Sequence, residues 1–197
     1  FILYLPDYQQ AAQQLASSLQ LDAFVIANNE RKTLLAWAEK GKLAILCDGQ
    51  LSLQPLTKPL PHAVAVDWAN KSLLWRLQHG GGRSELIAKA CGIKKDFLPT
   101  IVDATAGFGK DSLLLASLGC SVALLERSPL VAAMLADGWQ RAQYEPYLRS
   151  ILPRMTIHHG DAKAHLLALP VDQRPDVVYL DPMFPDRGNS AKVKKDM

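Results

Sequence analysis

The chain has 197 residues, with 22 Lys and Arg against 19 Asp and Glu for a formal charge of +3, and 49% hydrophobic against 21% charged residues. This is the composition of a soluble, ordered protein long enough for a sizeable core and one or two domains. It excludes a membrane-spanning helix, because no apolar run approaches the roughly 18 residues needed, and no repeat, low-complexity tract or signal peptide is visible. The first residue is Phe1 rather than Met, which suggests that the true N-terminus is absent. Cys47, Cys91 and Cys120 are odd in number and far apart, as expected of a reducing cytoplasm. His158 and His159 are adjacent, and no Cys or His spacing resembles a zinc site, so no metal is expected.

In chain order, residues 8–19 read as a helix with Ala11, Ala12, Leu15, Ala16 and Leu19 on one side, followed by the strand-like Ala23 to Ala27. Leu43 to Cys47 and Leu51 to Leu53 flank Asp48-Gly49, a hairpin signal. Pro55, Pro59 and Pro61 then punctuate a connector into the strand-like Val64 to Trp68. The expected division is a small N-terminal α+β domain over residues 1–62 and a second domain over residues 63–197.

Gly80, Gly81 and Gly82 form a loop that is a flap, a backbone anion nest with His79 or Arg83 facing a substrate, or a plain connection. Ser84 is a candidate cap for the helix that follows, and Gly92 a candidate stop. From Lys71 to Asp96 basic residues outnumber acidic ones, and the tail repeats the bias with Arg187, Lys192, Lys194 and Lys195. Two such patches could flank a cleft and meet phosphates, or be ordinary solvated charge.

After Pro99 the chain alternates regularly: a strand to Asp103, a helix from Asp111 to Leu118, a strand from Val122 to Glu126, and a helix opened by Pro129. A third strand spans Met155 to His159 and a fourth Val177 to Leu180. This implies a mainly parallel Rossmann-like α/β sheet, in which ligands bind beyond the carboxyl ends of the strands. Asp103, Glu126, Asp161 and Asp181 all fall at those ends. Four strands leave the sheet incomplete at one edge, so further C-terminal strands are expected after Met197.

The run Ile101 to Asp111 is a strand, a turn bearing Gly107 and Gly109, and a helix start, with Glu126 about 20 residues on as a ribose acceptor. Ser112 stands where a dinucleotide fingerprint has its third glycine, and Ala104 and Asp111 break a phosphate loop. A carboxylate at Asp111 is a poor neighbour for phosphate but tolerates a cationic ligand, which favours S-adenosylmethionine. In this reading Asp103, Gly107 and Gly109 approach the methionine end, and Lys110 and Asp111 contact its carboxylate or ammonium. Glu126 takes the ribose, Arg127 lines the adenosine, and Asp161 with Ala162 meets the adenine. Asp103 and Asp161 could instead simply cap neighbouring helices.

Asp181-Pro182-Met183-Phe184 supplies the chemistry. The lone pair of an exocyclic base amine is delocalised into the ring. An Asp181 carboxylate and a carbonyl near Pro182 could hold the N–H groups and favour sp3 character at nitrogen, while Phe184 stacks on the base. A rigid proline turn is the alternative.

The strings DATAGFGKDSLLLASLGCSVALLERSP, VVYLDPMFP with SAKVKKDM, and GGGRSELIAKACGI resemble the bacterial small-subunit ribosomal RNA guanine-N2 methyltransferases of the RsmJ type, over roughly Trp68 to Met197. The resemblance implies a cytoplasmic, S-adenosylmethionine-dependent enzyme that methylates N2 of one guanosine near the 3′ end of 16S ribosomal RNA. It implies 16S RNA or the small ribosomal subunit as partner, with no membrane. The family's cofactor positions fall on Lys110-Asp111, Glu126-Arg127, Asp161-Ala162 and Asp181. Many amino methyltransferases have Asn and a second Pro in the tetrad; here Asp181 and Met183 stand instead, so the tetrad alone does not name the base. Competing readings are an amino methyltransferase acting on another RNA or on DNA adenine, a nicotinamide-dependent oxidoreductase, and a non-catalytic RNA-binding or ribosome-assembly protein.

Overall fold

The computed structural model describes residues 1–182; Phe184, Arg187, Lys192, Lys194 and Lys195 lie outside the described residues. The elements in chain order are β1 (Ile2–Tyr4), α1 (Gln9–Leu19), β2 (Ala23–Val25), α2 (Arg31–Ala36), β3 (Leu43–Cys47), β4 (Leu51–Pro55), β5 (Val64–Ala65), α3 (Lys71–His79) and α4 (Leu86–Ala90). They continue with β6 (Thr100–Asp103), α5 (Lys110–Ser117), β7 (Ser121–Glu126), α6 (Pro129–Ala142), α7 (Pro146–Arg149), β8 (Met155–His159), α8 (Ala162–Ala168) and β9 (Val177–Tyr179). None of these helices is long and apolar enough to cross a membrane.

Strands β1 to β5 form one sheet in the order β2-β1-β3-β4-β5. Strand β1 runs parallel to β2 and β3, while β3, β4 and β5 are successively antiparallel. Side chains alternate across a strand, so Ile2, Tyr4, Ile45 and Cys47 pack with Ala12 and Ala16 of α1, and Leu3, Ala44 and Leu46 pack with Leu34 of α2 on the other face. The Asp48-Gly49 hairpin is present, with Gly49 at φ +109°. The strand expected over Val64 to Trp68 shortens to β5, which is the edge of this first sheet through its pairing with β4. Trp68, beyond that strand, is 1% exposed in the core of the second layer.

Strands β6 to β9 form a second sheet, β8-β7-β6-β9, with every pairing parallel. Five consecutive residues of α5, Ser112 to Ala116, are buried, and the helix packs on β7 with α4 against it. Helix α6 begins at Pro129 with the Ser128 hydroxyl accepting from the Val131 N–H, a conventional N-cap. It also ties the two sheets together. Asp137 accepts from the Leu51 N–H at 3.1 Å, and Arg141 donates to the Val66 carbonyl at 2.6 Å.

Two helices in the connecting region depart from the sequence expectation. Helix α3 was hidden in the basic stretch; Asn70 caps it, and Leu73, Leu74 and Leu77 bring it onto the core. Helix α4 starts after Glu85, and Ser84 does not cap it. The Ser84 hydroxyl donates instead to the Gly81 carbonyl at 2.6 Å, closing the glycine loop on itself.

Candidate functional site

The carboxyl ends of the parallel strands are joined by a set of short hydrogen bonds. After β6 the chain turns through Ala104 to Gly109. The Ala104 N–H donates to the Tyr179 carbonyl at 3.0 Å, and the Thr105 hydroxyl accepts from the Asp181 N–H at 2.8 Å. On the other side the Ala106 N–H donates to the Leu125 carbonyl at 3.3 Å, and the Gly107 N–H to a Glu126 carboxylate oxygen at 3.1 Å. The Gly160 N–H reaches the Glu126 carbonyl at 2.9 Å. The ends of β6, β7, β8 and β9, far apart in sequence, therefore share one rim.

Its glycines differ in purpose. Gly107, at φ +51°, has nothing nearer than 3.9 Å to where a Cβ would stand, so its side of the turn is open. Gly109, at φ +67°, is buried; a Cβ there would lie 2.8 Å from Trp68 Cζ2 and 3.0 Å from Leu124 and Leu135 methyl carbons. Sequence reasoning expected both to approach a ligand, whereas Gly109 is where the core comes closest to the turn. Trp68 secures that contact by donating its indole N–H to the Phe108 carbonyl at 2.8 Å.

Asp103 is likewise beneath the rim. It is 2% exposed, accepting from the Thr105 N–H at 3.1 Å and the Ser112 hydroxyl at 2.5 Å. Ser112, which the sequence showed only as a missing glycine, is thus the donor that lets a carboxylate be buried at the strand end. Burial pushes the Asp103 carboxyl above the usual carboxylate range, with the bonds from Ser112 and Thr105 acting against it. A folded-state pKa above the unfolded one means the folded chain holds that proton more tightly, so stability falls as pH rises upward from about 4. Removing the charge should expose this: the stability of the wild type relative to Asp103→Asn is expected to decline between pH 4 and 7 in urea titrations. A difference that stays flat would refute it.

The other expected ligand carboxylates are half-buried or exposed. Glu126, at the end of β7, accepts from Gly107 and from the Ser128 N–H at 2.7 Å. Asp161 caps α8 by accepting from the Ala164 N–H at 2.8 Å, and Ala162 is the first residue of that helix. Lys110 and Arg127 are exposed, and Asp111, in the first turn of α5, is half-buried. Asp181 and Pro182 are exposed, with Asp181 held at its backbone by Thr105. Among the described residues no group of three or more His, Cys, Asp or Glu side chains is placed to hold a metal ion.

Tyr179 was not singled out in the sequence. Its hydroxyl donates to Asp111 at 2.8 Å, and burial, that bond and the neighbouring carboxylates push the phenol well above its ordinary pKa, so it is a neutral donor. Strand periodicity was the available signal, because Tyr179 lies two residues before Asp181 and side chains at that spacing share a face.

Beside Asp111 a cleft of about 550 Å³ opens between α3, α4 and the start of α5, lined by Arg76, Gly81, Ser84, Glu85, Leu86, Ile87 and Asp111. Arg76 donates to Glu85 at 2.6 Å across it. His79 and Arg83, the expected substrate contacts, are exposed and do not line this cleft; the His79 ring stacks on Trp75 with 5.5 Å between centroids.

This arrangement has counterparts among known proteins. Residues 18–197 match a family model described as "Putative SAM-dependent methyltransferase". A solved SAM-dependent methyltransferase from Neisseria gonorrhoeae superposes with a TM-score of 0.69 at 31% identity, covering 93% of this chain and 70% of that one. The ribosomal RNA small subunit methyltransferase J of Pseudoalteromonas atlantica is 44% identical over 196 residues, 98% of this chain and 72% of that protein. The Aeromonas salmonicida protein of the same name is 51% identical over 149 residues, 75% of this chain and 59% of that protein. The chain thus spans between about three fifths and three quarters of such relatives. A parallel sheet with an open glycine turn and acidic strand ends, matched along nearly its whole length, places the chain in the family of SAM-dependent methyltransferases that includes the ribosomal RNA small subunit methyltransferase J proteins.

Proposed function

We propose that the protein transfers a methyl group from S-adenosylmethionine to the exocyclic N2 of a guanosine near the 3′ end of 16S ribosomal RNA, in the cytoplasm. The observation that carries the reading is the bond from the Asp181 N–H to the Thr105 hydroxyl, which fixes the Asp-Pro step against the cofactor turn. The rim fits the cofactor by its donor set. Gly107 leaves open space for a close backbone approach, and Glu126 is a half-buried carboxylate whose oxygens retain acceptor capacity beyond Gly107 and Ser128 for ribose hydroxyls. Asp161 and Ala162 stand at the next strand end for the adenine, with Arg127 alongside.

When bound, S-adenosylmethionine supplies a methyl group already activated on a sulfonium, so no protein nucleophile is required. The chain's work is positioning. Asp181 accepts from the amine N–H groups, orients the nitrogen lone pair and receives a proton late, while Phe184 provides a stacking surface. Asp103 and Gly109 act from beneath, shaping the turn. Lys192, Lys194, Lys195 and Arg187, with the exposed His79 and Arg83, supply contacts to the RNA backbone. The unit that carries the first sheet, whose last strand β5 lies past the expected 62/63 boundary and ends at Ala65, selects the substrate, and the unit that carries the second sheet is catalytic.

The deciding experiment is transfer of labelled methyl from S-adenosylmethionine to naked 16S RNA and to assembled small subunits, followed by nucleoside mapping. N2-methylguanosine near the 3′ end supports the proposal. Its absence from both substrates, or a methylated adenine in its place, overturns it.

A further inference from the structure

Resting on the reading of the acceptor as ribosomal RNA, we propose that the outward face of α3 is a stacking platform for an unpaired RNA base other than the target guanosine, built on the Trp75 and His79 rings. Helical spacing makes that face. Leu73 and Leu77 carry α3 onto the core, and Lys71, Trp75 and His79, each four residues from the next, form one exposed stripe on the opposite side.

Trp75 is the tryptophan that the fold itself does not use. Trp68 is 1% exposed and Trp37 and Trp139 are half-buried, whereas Trp75 is 63% exposed. A lone apolar side chain on a surface needs no explanation, but this ring is also held in place. The His79 ring stacks on it with centroids 5.5 Å apart and planes inclined by 24°. His79 Nδ1 lies 3.3 Å from the Trp75 carbonyl, which can only accept, so Nδ1 donates and fixes the imidazole against its neighbour. A flat apolar surface is thus ordered before any ligand arrives, which lowers the entropy cost of binding to it.

The surrounding charge specifies the ligand's chemistry. Within the basic stretch from Lys71 to Asp96, Arg76 and Glu85 pair at 2.6 Å, which leaves the exposed Lys71, Arg83, Lys89, Lys94 and Lys95 against Asp96. A polyanion that carries aromatic faces complements both the ring and the cations. In a duplex those faces are already stacked on one another, so the indole selects unpaired bases. Neither Trp75 nor His79 lines the cleft beside Asp111, although Arg76, the next residue along α3, does. The platform therefore stands on the shoulder of that cleft and serves a nucleotide different from the one held at Asp181.

The test is fluorescence anisotropy of a labelled single-stranded RNA 12-mer from the 3′ end of 16S RNA, and of the same strand annealed to its complement, with the full chain and with Trp75→Ala and Trp75→Phe. Trp75→Ala should weaken single-strand binding about fivefold or more, the scale of one lost base–aromatic stack, and leave duplex binding unchanged. The dependence of affinity on salt should also be unchanged, because no phosphate contact is removed. Trp75→Phe, which keeps a stacking face, should restore most of the affinity. Equal single-strand affinity of wild type and Trp75→Ala would leave the face to a protein partner or to solvent and overturn the proposal. Equal losses for single strand and duplex, or no rescue by Phe, would overturn it as well. Trp75-dependent binding of RNA that acquires no N2-methylguanosine would support the platform and defeat only the methylation reading, so the two fail separately.

Discussion

Asp181→Ala is expected to lower the turnover of methyl transfer by about a hundredfold or more, the scale of losing a positioned proton acceptor at the reacting atom. The effect should fall on kcat and leave the KM for RNA nearly unchanged, because the interaction grows as the amine nitrogen becomes tetrahedral. The structure fixes the backbone from which that side chain extends. Asp181 is exposed, but its backbone N–H is bound to the Thr105 hydroxyl at 2.8 Å, and Thr105 belongs to the turn that follows β6. Thr105→Val should consequently reproduce part of the loss without removing any group that meets the substrate. Single-turnover kinetics with saturating RNA would separate these effects, and near-normal turnover of Asp181→Ala would remove Asp181 from the chemistry.

The second large effect is on stability. Gly109→Ala is expected to destabilise the fold by about 2–5 kcal/mol, combining about 1–2 kcal/mol for a left-handed backbone at a non-glycine residue with about 1–3 kcal/mol for overpacking. The added methyl would meet Trp68 at 2.8 Å and Leu124 and Leu135 at 3.0 Å, and all three are fully buried. Gly107→Ala shares the backbone cost, at φ +51°, but meets only open space. It should lose no more than about 1–2 kcal/mol. Thermal melts of the pair are diagnostic: Tm should fall further for Gly109→Ala, by at least several degrees for a chain of this size, and equal shifts would refute a packing role for Gly109.

The elements that were legible in the sequence are those with strong local signals. Pro129 at the first turn of a helix, the Asp48-Gly49 hairpin and the β6 to β8 strands with their intervening helices stand within a residue or two of their expected positions. The acidic residues at the strand ends were legible too, since parallel strands must all point their carboxyl ends to one side. What misled was context. Val64 to Trp68 looks like one apolar strand, yet only Val64 and Ala65 pair, and Trp68 is spent on the core beneath the glycine turn. Ser84 has the chemistry of a cap, but the preceding loop uses its hydroxyl first.

Side-chain roles at the site divide in the same way. Composition and spacing alone determined a parallel α/β sheet, a glycine turn between its first strand and helix, and a carboxylate after each strand, because these follow from periodicity and from the geometry of one βα unit. Only the tertiary structure decided which of those carboxylates reach the rim and which are buried beneath it. Asp103 and Glu126 look equivalent along the chain, but Ser112, nine residues after Asp103, turns one inward, while Gly107 and Ser128 leave the other on the rim. The pairings of Tyr179 with Asp111, Thr105 with Asp181, and Arg76 with Glu85 beside Asp111 were similarly invisible. Direction in space at a strand end depends on what packs behind it, and that is a property of the assembled sheet and helices, not of any local run of residues.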